Sequence, residues 1–397
     1  MNLFEIVKIK VKEQSIKYCI NKARQERQRQ YEFESRLEHI DCLISHKPDT
    51  APSLYEERQR LKDQLDTIFA KKSFAAFVRS RAKWIEDGEK SSSYFLNLEK
   101  RHQIHNSIDM LTDEQGNTHT HDGNILKHCE NYYANLYKSR EPKQQNIDQY
   151  LDKLSDLPVL TKDSQKVCEG MITVAECQNA IKFMKNNKSP GLDGLTIEFY
   201  KTFWADISDM LIDSFNESLN KGYLSYSENV SIISLIFKKG DPKLLKNYRP
   251  ISLTNIDYRI LAFTLAQRLQ NIIGTVVSKN QTGYIKGRFI GTNVRAILDI
   301  CDYIESTNSP GILLQLDFEK AFDSVEWTFL LLVLKKYNFG EYFIKWIKVL
   351  YGRPKICIKN NGYLSNYIGM GRGIRQGCPV SALLFILIIE TRAFNTK

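Results

Sequence analysis

The chain has 397 residues, 42% of them hydrophobic and 26% charged, with a formal net charge of +10 from 56 Lys and Arg against 46 Asp and Glu. That length and apolar content exclude a disordered chain and allow two or three domains with packed cores. The positive balance suits a polyanionic partner, although it would serve solubility equally well.

Eight cysteines are scattered with no Cys-x-x-Cys, and no apolar segment follows the first Met as a secretory signal would. Reduced thiols and an intracellular location, nuclear or cytoplasmic, are the economical expectation. The longest apolar run, Val380 to Ile389, has ten residues, whereas a bilayer core needs about twenty. It therefore reads as a buried helix, and no membrane partner is expected. His119, His121, His128 and Cys129 match no standard zinc module and sit among Asp, Gly and Asn, so a polar surface loop is expected there.

From Met1 to about Lys47 the sequence is helical in character, with Phe33, Leu37, Ile40 and Ile44 on one narrow stripe. Lys47-Pro48-Asp49-Thr50-Ala51-Pro52 breaks the helix. A second helix then places Leu54, Leu61, Leu65 and Ile68 on one face. Residues 1–87 thus read as an antiparallel helical hairpin, a spacer with room for self-association. Residues 88–170 mix short apolar patches with polar residues and give no clean architecture.

Beyond them, Thr173 and Glu176 form a capping box for a helix, Ile197 to Leu219 reads as one continuous helix, and Gly222 ends it. A strand is expected at Val230 to Phe237. Between Lys238 and Arg249 lie five basic residues and one acid around Gly240-Asp241-Pro242, which marks a basic loop. Ile251-Ser252-Leu253 begins the return leg, and a helix follows from about Ile256 to Ile273.

The stretch Ile312 to Trp327 carries the most information. Ser309-Pro310-Gly311 breaks structure ahead of the apolar run Ile312 to Leu316, which reads as a buried strand presenting Asp317 at its end. Asp323, with Glu326 three residues on, reads as the cap of the next helix, a role that competes with metal binding. On the bare sequence Phe322 is a core residue. Two helices up to about Tyr351 follow, then a hairpin of Lys355 to Lys359 and Tyr363 to Ile368 around Asn360-Asn361-Gly362, whose Asn-Gly pair favours a type I′ turn. The order of helices, hairpin, strand, helices and hairpin predicts an α+β domain.

Together with Lys188 to Gly194 (KSPGLDG), Lys238 to Pro242 (KKGDP), Asn247 to Leu253 (NYRPISL), Gln281 to Arg288 (QTGYIKGR) and Gly373 to Pro379 (GIRQGCP), this stretch closely resembles the reverse transcriptase of LINE-type non-LTR retrotransposons. Trp84 to Lys100 resembles the segment such proteins carry ahead of the polymerase. The resemblance implies that residues 171–397 are the fingers and part of the palm of a right-hand polymerase acting on an RNA template, an RNA/DNA duplex and deoxynucleoside triphosphates, with Mg2+ or Mn2+. It makes Asp317 the catalytic metal-binding acid, with the Phe318 carbonyl as auxiliary ligand. Arg249, partnered by Lys238 or Lys239, would grip the triphosphate. The amides of Lys320 and Ala321 would face the phosphates, Phe322 would stack under the sugar, and Gln376 and Gly377 would line the nucleotide and template pocket. Arg353, Lys355 and Arg375 become candidates for contact with a nucleic-acid backbone.

In one respect the chain departs from this family. The family's second acid block, two adjacent aspartates on a hairpin after the Gln-Gly turn, has no counterpart, and no Asp-Asp pair occurs anywhere. One aspartate cannot hold two dications. The expectation is a truncated reverse transcriptase with little activity of its own, the alternative being a non-catalytic nucleic-acid-binding or coiled-coil interaction protein derived from a retroelement.

Overall fold

A computed structural model of the chain describes residues 3–46, 52–80 and 107–395. These fall into two compact units, one of Met1–Ile9 with Asp109–Lys397 and one of Lys10–Ile108. The segment Trp84 to Lys100 lies outside the described residues.

The smaller unit holds α2 (Pro52–Ser80) and most of α1 (Leu3–His46). Gln30 meets Lys72 while Arg36 meets Glu57 at 2.8 Å, so the two helices run antiparallel. Ile40, Leu61 and Leu65 are buried between them. The flanking ion pairs are exposed and contribute little, so this apolar stripe holds the hairpin together.

In the larger unit a short hairpin, β1 (Leu111–Thr112) and β2 (Thr118–His119), precedes α3 (Asp122–Leu136), α4 (Gln144–Asp152), α5 (Lys162–Cys168) and α6 (Val174–Phe183). His121 caps α3, its ring accepting from the Gly123 amide. Next come α7 (Ile197–Thr202), α8 (Trp204–Lys221), α9 (Tyr226–Asn229), β3 (Val230–Phe237), β4 (Tyr248–Thr254), α10 (Ile256–Gln270), α11 (Ile273–Val276) and α12 (Gly291–Thr307). The chain continues through α13 (Trp327–Lys336), α14 (Glu341–Leu350), β5 (Lys355–Asn360), β6 (Tyr363–Leu364), β7 (Ile368–Gly369) and α15 (Ser381–Asn395). Helices and sheet are segregated, which makes this an α+β fold.

The sheet has the order β4-β3-β5-β6, with β7 also on β5. β3 is its centre, antiparallel to β4 and parallel to β5. Val230 to Ile233 are buried, but Ile236 and Phe237 are exposed, so the β3–β4 hairpin leaves the core at its tip. α10 is buried on nearly every face, from Ile256 to Leu269. Its Arg268 pairs with Glu176 at 2.6 Å and also donates to the carbonyls of Cys168, Gly170 and Met171. Such saturation is what a buried guanidinium requires. Glu176 also completes the capping box of α6 with Thr173. Asn361 and Gly362, with φ of 48° and 89°, form the two-residue turn between Asn360 and Tyr363, and positive φ at both positions is what a type I′ turn demands.

Several expectations are corrected. The helix expected from Ile197 to Leu219 breaks at Phe203, whose φ of −102° and ψ of 18° serve as both the end of α7 and the start of α8. The return strand expected from Tyr363 to Ile368 is split into β6 and β7. The run Ile312 to Leu316 is not a strand, and Ile312 is 96% exposed. Apolar composition makes a strand only where a neighbour pairs its amides and carbonyls and another layer covers its face, and this run has no ladder partner among the described residues. The helix just before it, α12, has no buried residue. Asp323 is not a cap, because Glu326 occupies the N-cap position of α13.

The first turns of α1 are anchored by a buried ion pair. Lys8 is 4% exposed and reaches Asp257 on α10 at 2.5 Å, as well as Ser227 and Glu5. Burial alone would depress the Lys8 ammonium, but Asp257, Glu228 and Glu5 outweigh it and raise its pKa. Burial, reinforced by Asp257, pushes Glu228 up to about 7. Replacing Lys8 by Met strips Asp257 of its counter-charge and should cost about 3–5 kcal/mol in urea unfolding, whereas the exposed Lys10→Met control should stay within about 0.5 kcal/mol.

Candidate functional site

Three segments meet around a groove of about 880 Å³: the β3–β4 hairpin, the turn after residue 316, and the glycine-rich turn before α15. The hairpin contributes Lys238, Tyr248 and Arg249; the second segment contributes Asp317 to Asp323; the third contributes Gln376 and Gly377. The hairpin tip is braced by Lys238 N donating to Asn247 O at 3.0 Å and by the Tyr248 hydroxyl donating to Pro242 O at 2.7 Å. Arg249 stands opposite Ile236 in the ladder, and its guanidinium has no protein acceptor among the described residues. Its guanidinium is therefore available to an anionic ligand.

Backbone hydrogen bonds stitch the other two segments together. Ile374 N donates to Phe322 O at 2.8 Å, Gly373 N to Val325 O at 2.7 Å, and Ser252 N of β4 to Gln376 O at 2.9 Å. The Trp327 indole adds a bond to Gly373 O at 2.8 Å. Gly377 has a φ of 99°, and an added Cβ would stand 3.3 Å from Ser252 O. Only glycine meets both conditions comfortably, and it lets the turn lie against β4.

Lys320 takes a φ of 49° and turns its ammonium to the Tyr132 hydroxyl, 4.6 Å from the ring centroid. Its amide and that of Ala321 have no protein acceptor among the described residues. Phe322 lines the groove and stacks on Phe385 of α15, with centroids 5.0 Å apart, so it combines the core role with the groove position.

Asp323 is 2% exposed. Its Oδ1 accepts from the Tyr137 hydroxyl at 2.8 Å and its Oδ2 from the Gln376 amide nitrogen at 3.0 Å. Burial pushes this carboxyl up to about 6 against the pull of Tyr137, Lys320, Gln376 and Arg372. Sequence reasoning missed this contact because Tyr137 lies 186 residues away. It also left Tyr284 unassigned, although that residue lies within a quoted motif, is 73% exposed and lines the groove.

Not every candidate joins the groove. Lys239 is exposed but lies outside its lining. Arg353 lies over the Tyr223 ring at 5.0 Å and Lys355 over Tyr226 at 5.9 Å, both away from the groove. Arg375 is corrected outright as a nucleic-acid contact: it is 1% exposed, lies 4.4 Å from the Tyr258 ring centroid and donates to Asn229 O at 3.1 Å. Its apolar neighbours, Ile374 and Val380, draw this part of the turn into the core.

For a metal, the groove offers the exposed Asp317 carboxylate, whose Oδ1 accepts from the Phe318 amide at 2.9 Å, and the Phe318 carbonyl beside it. Asp323 is committed elsewhere. Among the described residues no three His, Cys, Asp or Glu side chains cluster as a metal site. These donors fit one hard dication completed by water and ligand oxygens, but not a two-ion site.

The groove residues from Lys238 to Ala382 lie within a stretch that matches a known family. Residues 236–395 match the family of reverse transcriptases (RNA-dependent DNA polymerases). The chain is 35% identical over 329 residues to the transposon TX1 uncharacterized 149 kDa protein of Xenopus laevis, covering 83% of this chain and 25% of that protein. It is 29% identical over 220 residues to the retrovirus-related Pol polyprotein of the type-1 retrotransposable element R2 of Popillia japonica (54% and 29% covered) and 23% identical over 244 residues to that of the type-2 element R2DM of Drosophila melanogaster (58% and 23%). The chain carries a reverse transcriptase domain, and that domain belongs to the non-LTR retrotransposon kind. The chain spans about a quarter of the length of these relatives.

The raised Asp323 value has a thermodynamic consequence. The folded chain holds this proton more tightly than the unfolded chain does, so the stability it contributes is full below about pH 4 and is lost as pH rises to about 6. In Asp323→Asn that loss should disappear, flattening the fall of unfolding free energy over this window by roughly 2–3 kcal/mol. Urea titrations at pH 4 and pH 6.5 measure it, and an unchanged slope would refute the assignment.

Proposed function

We propose that this domain is the nucleotide-binding part of an RNA-directed DNA polymerase: its groove holds the incoming deoxynucleoside triphosphate beside an RNA template and the RNA/DNA duplex, while the donors at Asp317 and Phe318 suit one dication and so give little synthesis by themselves. The observation that carries the reading is the convergence of Arg249 and Lys238, the Lys320 and Ala321 amides, which have no protein acceptor among the described residues, and the Gln376–Gly377 turn around the exposed Asp317 carboxylate. A triphosphate needs several donors at once, and a planar guanidinium with main-chain amides supplies them in fixed directions.

In this reading Arg249 grips the phosphates bidentately while Lys238 adds a mobile charge at the hairpin tip. The Lys320 and Ala321 amides take further phosphate oxygens, and Phe322, backed by Phe385, forms the floor beneath the sugar. Asp317 and the Phe318 carbonyl would hold a divalent ion, Mg2+ or Mn2+, which when bound neutralises phosphate charge. The basic surface favours a polyanionic template, whose binding should weaken with salt as counter-ions are displaced.

Arg249→Ala should weaken deoxynucleoside triphosphate binding by about 1.5–3 kcal/mol, the usual worth of a hydrogen bond to a charged group. Lys239→Ala, outside the groove, should change it by less than about 0.5 kcal/mol. Fluorescence titration of a labelled nucleotide onto the full chain with an RNA-templated primer measures both. Equal losses in the two variants would mean that charge alone, and not this groove, binds the nucleotide.

A further inference from the structure

Gln376 is the groove residue whose orientation is fixed from behind. An amide has two chemically different ends, and nothing in its own torsions decides which one faces a ligand. Here the decision is made by Asp323. A carboxylate accepts and cannot donate, so the Gln376 NH2 must face it, as the 3.0 Å contact records. The carbonyl oxygen Oε1 is left with no protein donor among the described residues, on a side chain that lines the groove.

Asp323 is itself held. Its other oxygen receives the Tyr137 hydroxyl at 2.8 Å, and the site is nearly sealed from solvent. The backbone is pinned on both sides, since Ile374 N bonds Phe322 O and Ser252 N bonds Gln376 O. The carboxylate and the amide therefore meet in one geometry, fixed from three directions.

We propose that Asp323, anchored by Tyr137, is a positioning residue that turns the Gln376 carbonyl oxygen toward the groove, so that Gln376 receives a hydrogen-bond donor of the bound nucleotide or template. The proposal rests on the reading of the groove as a nucleotide site. It accounts for the presence of a buried acid where a neutral side chain would be easier to bury: only a group unable to donate excludes the reversed amide.

Protonation of Asp323 should weaken this control, because a carboxylic acid can donate to Oε1 and admit the reversed amide. The charged or titratable groups around it are Tyr133 of α3, Tyr137 at the end of that helix, Lys320 of its own turn and Arg372 of the glycine-rich turn. Of these, Lys320 and Arg372 favour the carboxylate, as do the bonds from Tyr137 and Gln376.

The test is deoxynucleoside triphosphate affinity from pH 7.5 to 5.5 in the full chain, for the wild type, Asp323→Asn and Tyr137→Phe, both variants being nearly isosteric. Asn can donate or accept, so wild type should bind about threefold more tightly than Asp323→Asn at pH 7.5, and the ratio should fall toward unity near pH 5.5, where most Asp323 carboxyls are protonated. The nucleotide's own protonation affects both proteins alike and cancels in this ratio. Tyr137→Phe removes a bond that favours the carboxylate and should move the midpoint to higher pH. A ratio that stays flat with pH, or a midpoint unmoved by Tyr137→Phe, overturns the proposal while Arg249→Ala still confirms the groove. If the wild type binds no nucleotide at any pH, the groove reading falls and this inference falls with it.

Discussion

The site depends on one constraint: the turn after residue 316 and the glycine-rich turn must lie against each other and against β4. Five hydrogen bonds impose it, three between backbones, one from the Trp327 indole and one between Gln376 and Asp323. Gly377 makes the approach to Ser252 sterically comfortable. Were the turns separated, Arg249, Asp317 and Gln376 would lie on three independent surface segments, and no single ligand would meet them all. The groove is thus a property of backbone packing first and of side chains second.

Much of the scaffold was legible in the sequence because its signals are local. The Thr173–Glu176 capping box, the strand Val230–Phe237 and the Asn361–Gly362 turn each need only a few neighbouring residues, and each is found where the sequence places it. The groove residues Arg249, Asp317, Phe322, Gln376 and Gly377 came from motif resemblance instead, since nothing in local spacing brings residue 249 to residue 376.

What was not legible involves distant partners. Asp323 and Glu326 satisfy the spacing of a capping box, yet Tyr137 and Gln376 claim the Asp323 carboxylate, and a local preference of about 1 kcal/mol yields to a buried hydrogen-bonded network. Arg375 sits in a motif beside two groove residues, but its side chain turns inward onto Tyr258. Ile312 to Leu316 has strand composition without a ladder partner among the described residues, and composition cannot report that. The Lys8 anchor was equally invisible, because its partner Asp257 is 249 residues distant.

The central claim is that the hairpin tip, the Asp317–Asp323 turn and the Gln376–Gly377 turn bind one nucleotide together. Photo-crosslinking the full chain with an azido-substituted deoxynucleoside triphosphate, followed by peptide mapping, tests it directly. The account predicts labels confined to peptides spanning 238–249, 317–323 and 373–379, all suppressed by unlabelled nucleotide and all reduced in Arg249→Ala. Competable labelling on the Arg353–Tyr367 surface or on the helical hairpin, with the three groove peptides unmodified, would contradict it.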